Sequence, residues 1–301
     1  MRILLLLLSC VLLFSTQTYS AFAADDSRTT KSKGNKQKAP VVETNPFDEA
    51  VRAFNTGDRK GAAKLFEEAC KEDDMAGCFN LGILYSEGSG LRQNHKKAAE
   101  YFEMACNKGY ADACMTLGIM YNDGTAIEQD FAKALNFYML ACDGNNPDGC
   151  YNLGVMYDLG EGAEKNDVKA AELYGKTCEA GNMYACFNLG NKYNNGAGVA
   201  QDFVKAANLY AKSCELGYAG GCFNLGNKYK VGEGVELDYV KAAELYDTSC
   251  NAGIAPGCVN LGLMYEYGEG VKQDKTAAAE LYKTTCDAGY ATACEYLNAL
   301  E

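Results

Sequence analysis

Histidine is all but missing: His95 is the only one in 301 residues. A catalytic zinc needs several protein ligands, usually imidazoles, so zinc chemistry is not expected, and neither is any other metal or cofactor. Basic residues are also in deficit. With 28 Lys and Arg against 40 Asp and Glu, the net charge is −12. Nucleic-acid binding draws its affinity from clustered Lys and Arg, so a phosphate-backbone partner is not expected. Long apolar runs are lacking too, apart from Ile3 to Phe14, so no membrane span is expected.

That single apolar run follows Arg2 and precedes the small-residue site Ala21-Phe22-Ala23. It is too short to span a bilayer, and its order of charge, apolar core and small residues is that of a secretory signal peptide. Residues 1–23 are therefore expected to be a leader cleaved after Ala23. Leu7-Leu8-Ser9-Cys10 resembles a lipoprotein box only faintly, because apolar residues continue past Cys10. Residues 24–45 are polar and carry Arg28, Lys31, Lys33, Lys36 and Lys38, a composition that predicts a disordered basic linker. Loss of Arg2 with the leader takes the net charge from −12 to −13. The protein is expected to be secreted or periplasmic.

Cysteine, by contrast, is plentiful and ordered. It falls in seven pairs: Cys70 and Cys78, Cys106 and Cys114, Cys142 and Cys150, Cys178 and Cys186, Cys214 and Cys222, Cys250 and Cys258, Cys286 and Cys294. Each pair holds seven residues between its members, and the pattern recurs every thirty-six positions. A fixed period of this size is the mark of a solenoid built from one supersecondary unit. The expected fold is all-α, a disulfide-stapled αα superhelix over 46–301, and not a compact enzyme domain.

One unit shows how. Cys186, Leu189, Gly190 and Tyr193 fall on one face of a first helix, A. Asn194-Asn195-Gly196-Ala197-Gly198 then breaks it. Asp202 is a candidate N-cap for a second helix, B, and its equivalents Asn94, Asp130, Asn166, Asp238 and Asp274 share the chemistry that satisfies orphan amides. Phe203, Ala206, Ala207, Tyr210 and Cys214 form the apolar face of helix B. Between the cysteines of each pair stands Asp73, Gly109, Asn145, Gly181, Gly217, Gly253 or Gly289, the residue types that enter the left-handed region most easily. Helix B should end there.

Two regular cysteine pairings are open, within each pair or from Cys78 to Cys106 and onward. The second strands Cys70 and Cys294, whereas the first uses all fourteen cysteines that remain once Cys10 departs with the leader. Local pairing is therefore expected. Eight residues of unbroken helix would set the two Cα atoms about 12 Å apart, and a reversal brings them to about 6 Å. Each small loop so closed should contribute about 2.5 kcal/mol on the chain-entropy account. The template yields a shortened first hairpin (47–54 and 60–70), six full units, and a closing helix near 291–300. Glu295 and Asn298 in the closing helix replace an aromatic and a glycine, as suits a cap that meets water.

Cys-Phe-Asn-Leu-Gly at 78–82, its near copies at 150–154, 186–190, 222–226 and 258–262, Gly-Glu-Gly-Val at 232–235 and 268–271, and the Lys-Ala-Ala of helix B resemble Sel1-like repeats. These are relatives of tetratricopeptide repeats. With cysteines in phase in every unit, the chain resembles the Hcp-type cysteine-rich Sel1-like proteins of bacteria, secreted αα superhelices stapled by disulfides. Thr116 in place of the repeated asparagine, and Gly124-Thr125-Ala126 without a second loop glycine, are local departures.

In tetratricopeptide-like proteins helix A lines the concave face, so Asn80, Asn152, Asn188, Asn224 and Asn260 are candidate ligand-binding residues whose amides could clamp a peptide backbone or carboxylate. A structural hydrogen bond within the repeat is the other reading of the same pattern. Tyr85, Tyr121, Tyr157, Tyr193, Tyr229 and Tyr265 are expected in the core, His95 on the surface, and Glu172, Glu244 and Glu280 on a solvated face of helix B. The leading expectation for function is a binding module for an extended peptide, a protein terminus or a cell-wall fragment. The resemblance also implies slow β-lactamase activity on a β-lactam ligand, yet Ser-x-x-Lys, Ser-Asp-Asn and Lys-Thr-Gly are all absent and no catalytic residue can be named. A third possibility is an extracellular effector that acts on host cells.

Overall fold

The computed structural model describes residues 45–124 and 126–300, so the expected leader and all but the last residue of the expected linker lie outside the described residues. Helices α1 (Pro46–Asn55) and α2 (Arg59–Lys71) make the short first hairpin. The six full units are α3 (Met75–Glu87) with α4 (His95–Asn107), α5 (Ala111–Asp123) with α6 (Phe131–Asp143), α7 (Pro147–Leu159) with α8 (Asp167–Glu179), α9 (Met183–Asn195) with α10 (Phe203–Glu215), α11 (Ala219–Val231) with α12 (Tyr239–Asn251), and α13 (Ala255–Tyr267) with α14 (Lys275–Asp287). Helix α15 (Ala291–Leu300) is the last of the described helices. Odd-numbered helices are A and even-numbered helices are B. Each packs on the helix before it and the helix after it, the arrangement of an αα solenoid.

Local chemistry sets the helix ends. Asn94, Asp130, Asn166, Asp202, Asp238 and Asp274 each accept a hydrogen bond from the amide three residues on, at 2.9–3.1 Å. Such a cap contributes about 1 kcal/mol over alanine. Each B helix ends at a residue of positive φ, from 61° at Asn145 to 96° at Gly217. The chain reverses there, and of the two regular cysteine pairings the local one forms. Cys70 is bonded to Cys78, Cys106 to Cys114, Cys142 to Cys150 and Cys178 to Cys186. Likewise Cys214 is bonded to Cys222, Cys250 to Cys258 and Cys286 to Cys294. Their Cα atoms stand only 4.4–4.8 Å apart, closer than the 6 Å or so expected of a reversal. Each bridge ties the last turn of a B helix to the first turn of the next A helix, hence one hairpin to its successor. On the A-helix side Cys114, Cys150, Cys222 and Cys258 are all buried, so these links run through the core.

The core is a column of B-helix rings. Phe102, Tyr138, Tyr174, Tyr210, Tyr246 and Tyr282 are buried, and each lies against the glycine of Leu-Gly on the A helix of its own unit. A Cβ on Gly190 would lie 2.7 Å from Tyr210 Cε1, and one on Gly226 would lie 2.9 Å from Tyr246 Cε1. The repeated glycine is thus a socket for a ring. The A-helix tyrosines pack at the margin of this core. They are half-buried, and Lys97, Lys133, Lys169, Lys205 and Lys241 hold their ammonium groups 4.8–5.2 Å above the rings of Tyr85, Tyr121, Tyr157, Tyr193 and Tyr229. One ring face packs on apolar neighbours and the other meets a cation, which suits the negative face of an aromatic ring.

Where the second loop glycine is replaced, Ala126 and Ile127 pack against the adjoining core cluster. His95 opens α4 half-buried, with Nδ1 buried and unpartnered, rather than on the open surface. Glu172, Glu244, Glu280, Glu295 and Asn298 are exposed. Among the described residues no helix is long and apolar enough to cross a membrane.

Candidate functional site: the stripe along the A helices

Residues at i, i+4, i+7 and i+11 of a helix share one face. On α9 that face reads Tyr184, Asn188, Asn191, Asn195, and on α11 it reads Gly220, Asn224, Asn227, Val231. The sequence-derived asparagines all lie on this stripe, half-buried, but their amides are not equivalent. Asn80 turns back on its own helix, donating from Nδ2 to the Ala76 carbonyl at 2.8 Å. The other four reach the preceding A helix. Asn152 Nδ2 approaches Met115 Sδ at 3.5 Å, and Asn188 Nδ2 approaches the Tyr151 hydroxyl at 3.5 Å. Asn224 and Asn260 donate to Asn191 Oδ1 and Asn227 Oδ1 at 3.4 and 3.3 Å. Thr116, in place of the asparagine on α5, instead donates to the Asp112 carbonyl at 2.8 Å.

Asn191 and Asn227 did not stand out from the cysteine-anchored pattern, yet they are the hubs of the stripe. Each Oδ1 also accepts from a buried phenol, Tyr210 at 2.8 Å and Tyr246 at 2.7 Å. Burial pushes both phenols up to about 12, so they remain donors at neutral pH. With Oδ1 so engaged, the Nδ2 groups of Asn191 and Asn227 make no hydrogen bond to protein among the described residues. They are donors held in fixed positions on an accessible face. The signal was legible in hindsight: Leu-Gly-Asn-Lys-Tyr occurs at 189–193 and 225–229, where other units carry two apolar residues between Gly and Tyr.

The lysine of that string is the second surprise. Lys192 and Lys228 occupy the position of Leu84, Met120, Met156 and Met264 and are themselves buried. Lys192 pairs with Asp158 and, at 2.7 Å, with Asp167. Desolvation opposes its charge, but the hydrogen bonds it donates to the two carboxylates outweigh it and hold the ammonium above its ordinary pKa. The hydrogen bond from Lys192 holds Asp167 below the usual carboxylate range. Lys228 pairs with Glu233 and Asn194 beneath the Phe203 ring, 4.6 Å away. Both ammonium groups are therefore neutralised internally, and the α9–α11 segment of the stripe offers amides and rings rather than net charge.

No group of three or more His, Cys, Asp and Glu that could hold a metal occurs among the described residues. What remains is a disulfide-stapled αα-repeat scaffold whose A-helix stripe is most polar on α9 and α11, the place of Asn191 being taken by Ile83, Ile119, Val155 and Leu263 elsewhere. The Sel1 repeat model matches residues 76–110, 111–146, 147–182, 184–218, 219–254 and 255–290, well over half of the chain. The chain belongs to the Sel1 repeat family, as an Hcp-type cysteine-rich member.

HcpC of Helicobacter pylori (strain J99), which carries a provisional β-lactamase name, is 43% identical over 47 residues, 16% of each protein. A protective antigen of uropathogenic Escherichia coli with an SLR fold superposes with a TM-score of 0.75 at 29% identity, covering 79% of this chain and 51% of that one. A Sel1 repeat protein of Oxalobacter formigenes gives 0.71 at 23% identity, covering 85% and 75%. The chain thus spans about half of the Escherichia coli structure and a small part of HcpC. Disulfides form and persist in oxidising compartments, so seven bridges set the working protein outside a reducing cytosol.

Proposed function

We propose that the protein is a secreted or periplasmic binding scaffold that holds an extended peptide segment of another protein along the A-helix stripe. The observation that carries this reading is the run of amides on α9, α11 and α13. Asn188, Asn224 and Asn260 repeat at the unit spacing, while Asn191 and Asn227 present Nδ2 donors that no protein group uses. An extended peptide offers a carbonyl and an amide at regular intervals, and a primary amide can donate to one and accept from the other. Seven bridges hold neighbouring units in register, so little order has to be gained on binding. The leader expected over 1–23 would deliver the chain to the compartment where those bridges form.

The test compares peptide capture by wild type and by Asn188→Ala/Asn224→Ala. Loss of roughly 1 kcal/mol per hydrogen bond lowers affinity by tenfold or more for the pair. Equal retention by the two proteins would remove the stripe from the ligand site.

A further inference from the structure

One junction of the stripe is built unlike the rest. Tyr184, in the first turn of α9, leaves its ring 43% exposed. Tyr218 stands edge-on to it with ring centroids 5.1 Å apart, and Tyr151 tilts against its other side at 6.2 Å. Tyr218 is held in turn by Phe187, edge-to-face at 5.0 Å. Its ring folds over Gly220, where a Cβ would lie 2.6 Å from Cε1 and 2.8 Å from Cζ. Absence of a side chain at 220 is what lets Tyr218 lie against Tyr184. At the position of Tyr184 the other full units have Ala76, Asp112, Asp148, Gly220 and Pro256, so this pairing of an exposed ring with the half-buried Tyr218 occurs at a single junction. One unit earlier the same position is Asp148 and two units earlier Asp112, both exposed, the latter accepting from Asn146 Nδ2 at 2.7 Å.

Spacing then selects the conformation of the occupant. Side-by-side helices lie about 8–10 Å apart, and a general packing distance of that size sets the interval expected between successive A helices. A polyproline II segment turns once in three residues and advances about 9 Å in doing so, so every third residue shows the same face to successive units. A β-strand repeats its face about every 7 Å and drifts out of phase after one unit. Polyproline II also leaves its backbone amides and carbonyls unpaired, free for the amides of Asn188 and Asn224.

We propose that the stripe takes a polyproline II segment of a partner protein, with one proline ring seated on Tyr184 and Tyr218 and a Lys or Arg three residues away facing Asp148. This rests on the peptide-binding reading and supplies its sequence preference. Aromatic rings accept proline because its ring is compact, apolar and already ordered, and Asp148 supplies the charge that fixes which way the segment runs.

The full oxidised chain, immobilised, would be panned against displayed random twelve-residue peptides, and the enriched peptides measured by fluorescence anisotropy. The expected enrichment is a proline with Lys or Arg three residues distant, always on the same side. Replacing that proline by alanine in the peptide, or Tyr184→Ala or Gly220→Ala in the protein, should each weaken binding about three- to tenfold. Tyr184→Phe should bind as wild type. Gly220→Ala adds a better helix former, so its loss of binding should come without loss of stability. Enriched peptides without proline, or equal affinity for wild type and Tyr184→Ala, overturn the aromatic seat. If those peptides still fail to bind Asn188→Ala/Asn224→Ala, the stripe stands and only the seat is lost. Absence of any enrichment overturns both.

Discussion

Removing one bridge from the middle of the array and one from its end should have unequal consequences. Cys178→Ala/Cys186→Ala unties α8 from α9, where both half-cystines are buried and the Cα atoms stand 4.6 Å apart. A loop of this size constrains the unfolded chain by about 2.5 kcal/mol on the chain-entropy account. The lost burial of sulfur adds about 1 kcal/mol. Because every unit leans only on its neighbours, a weakened central junction is felt by the whole array. Cys286→Ala/Cys294→Ala removes the same crosslink from α15, which packs against α14 and is the last of the described helices. There the cost should appear as fraying of one helix.

The assay is urea unfolding followed by circular dichroism and by tyrosine fluorescence, the protein having no tryptophan, together with amide hydrogen exchange. The central variant should lose about 2–4 kcal/mol of global stability. The terminal variant should lose less than half of that, while the amides of α15 lose most of their protection. Equal midpoint shifts for the two variants, or none for the central one, would refute the coupling of bridge position to array stability.

Lys192→Met restores the methionine found at Met156 and Met264, and its stability at pH 7 should lie within about 1.5 kcal/mol of wild type, because the methionine packs where the lysine did and the carboxylates left behind, Asp158 and Asp167, are partly exposed and can be hydrated. The pH dependence should differ. Asp167, held below the usual carboxylate range, contributes stability present above its unfolded pKa and lost as pH falls through its lower folded value. Lys192, held high, contributes stability present below its unfolded pKa and lost as pH rises through its higher folded value. Urea midpoints at acid, neutral and strongly alkaline pH should therefore favour the variant at both extremes, and a constant offset would contradict the pairing. Gly190→Ala drives a Cβ against the buried Tyr210 ring and should destabilise by about 1–3 kcal/mol in thermal or urea melts, despite alanine's better helix propensity; an unchanged midpoint would refute the socket. Oxidised, metal-free protein should turn over nitrocefin no faster than buffer, and a rate that stays constant per milligram through purification would overturn the binding-only account.

Architecture was readable because period-bearing residues do unambiguous jobs. A cysteine pair needs a reversal, and only Gly, Asn or Asp stands where φ becomes positive, so hairpins and their stitching could be counted along the chain. The asparagine stripe was half legible. Asn188 and Asn224 were found by repetition, whereas Asn191 and Asn227 occur in only two units and look like lapses in an apolar pattern until Tyr210 and Tyr246 are seen donating to them. The unequal depth of the tyrosines escapes the sequence for a related reason. Helical spacing places Tyr193 and Tyr210 equally toward the seam, but only the three-dimensional arrangement reveals that Lys205 covers the first and Gly190 sockets the second. Gly220 carried no readable signal at all, since its role is the space it leaves for a ring.

The most direct test of the stripe as the binding surface is nitrogen-15 NMR of the asparagine side-chain amides during titration with a captured peptide. Saturable shifts of the Nδ2 resonances of Asn188, Asn191, Asn224 and Asn227, following one dissociation constant at one peptide per chain, are the predicted result. Shifts confined to B-helix or loop amides, with those four unmoved at saturation, would contradict it.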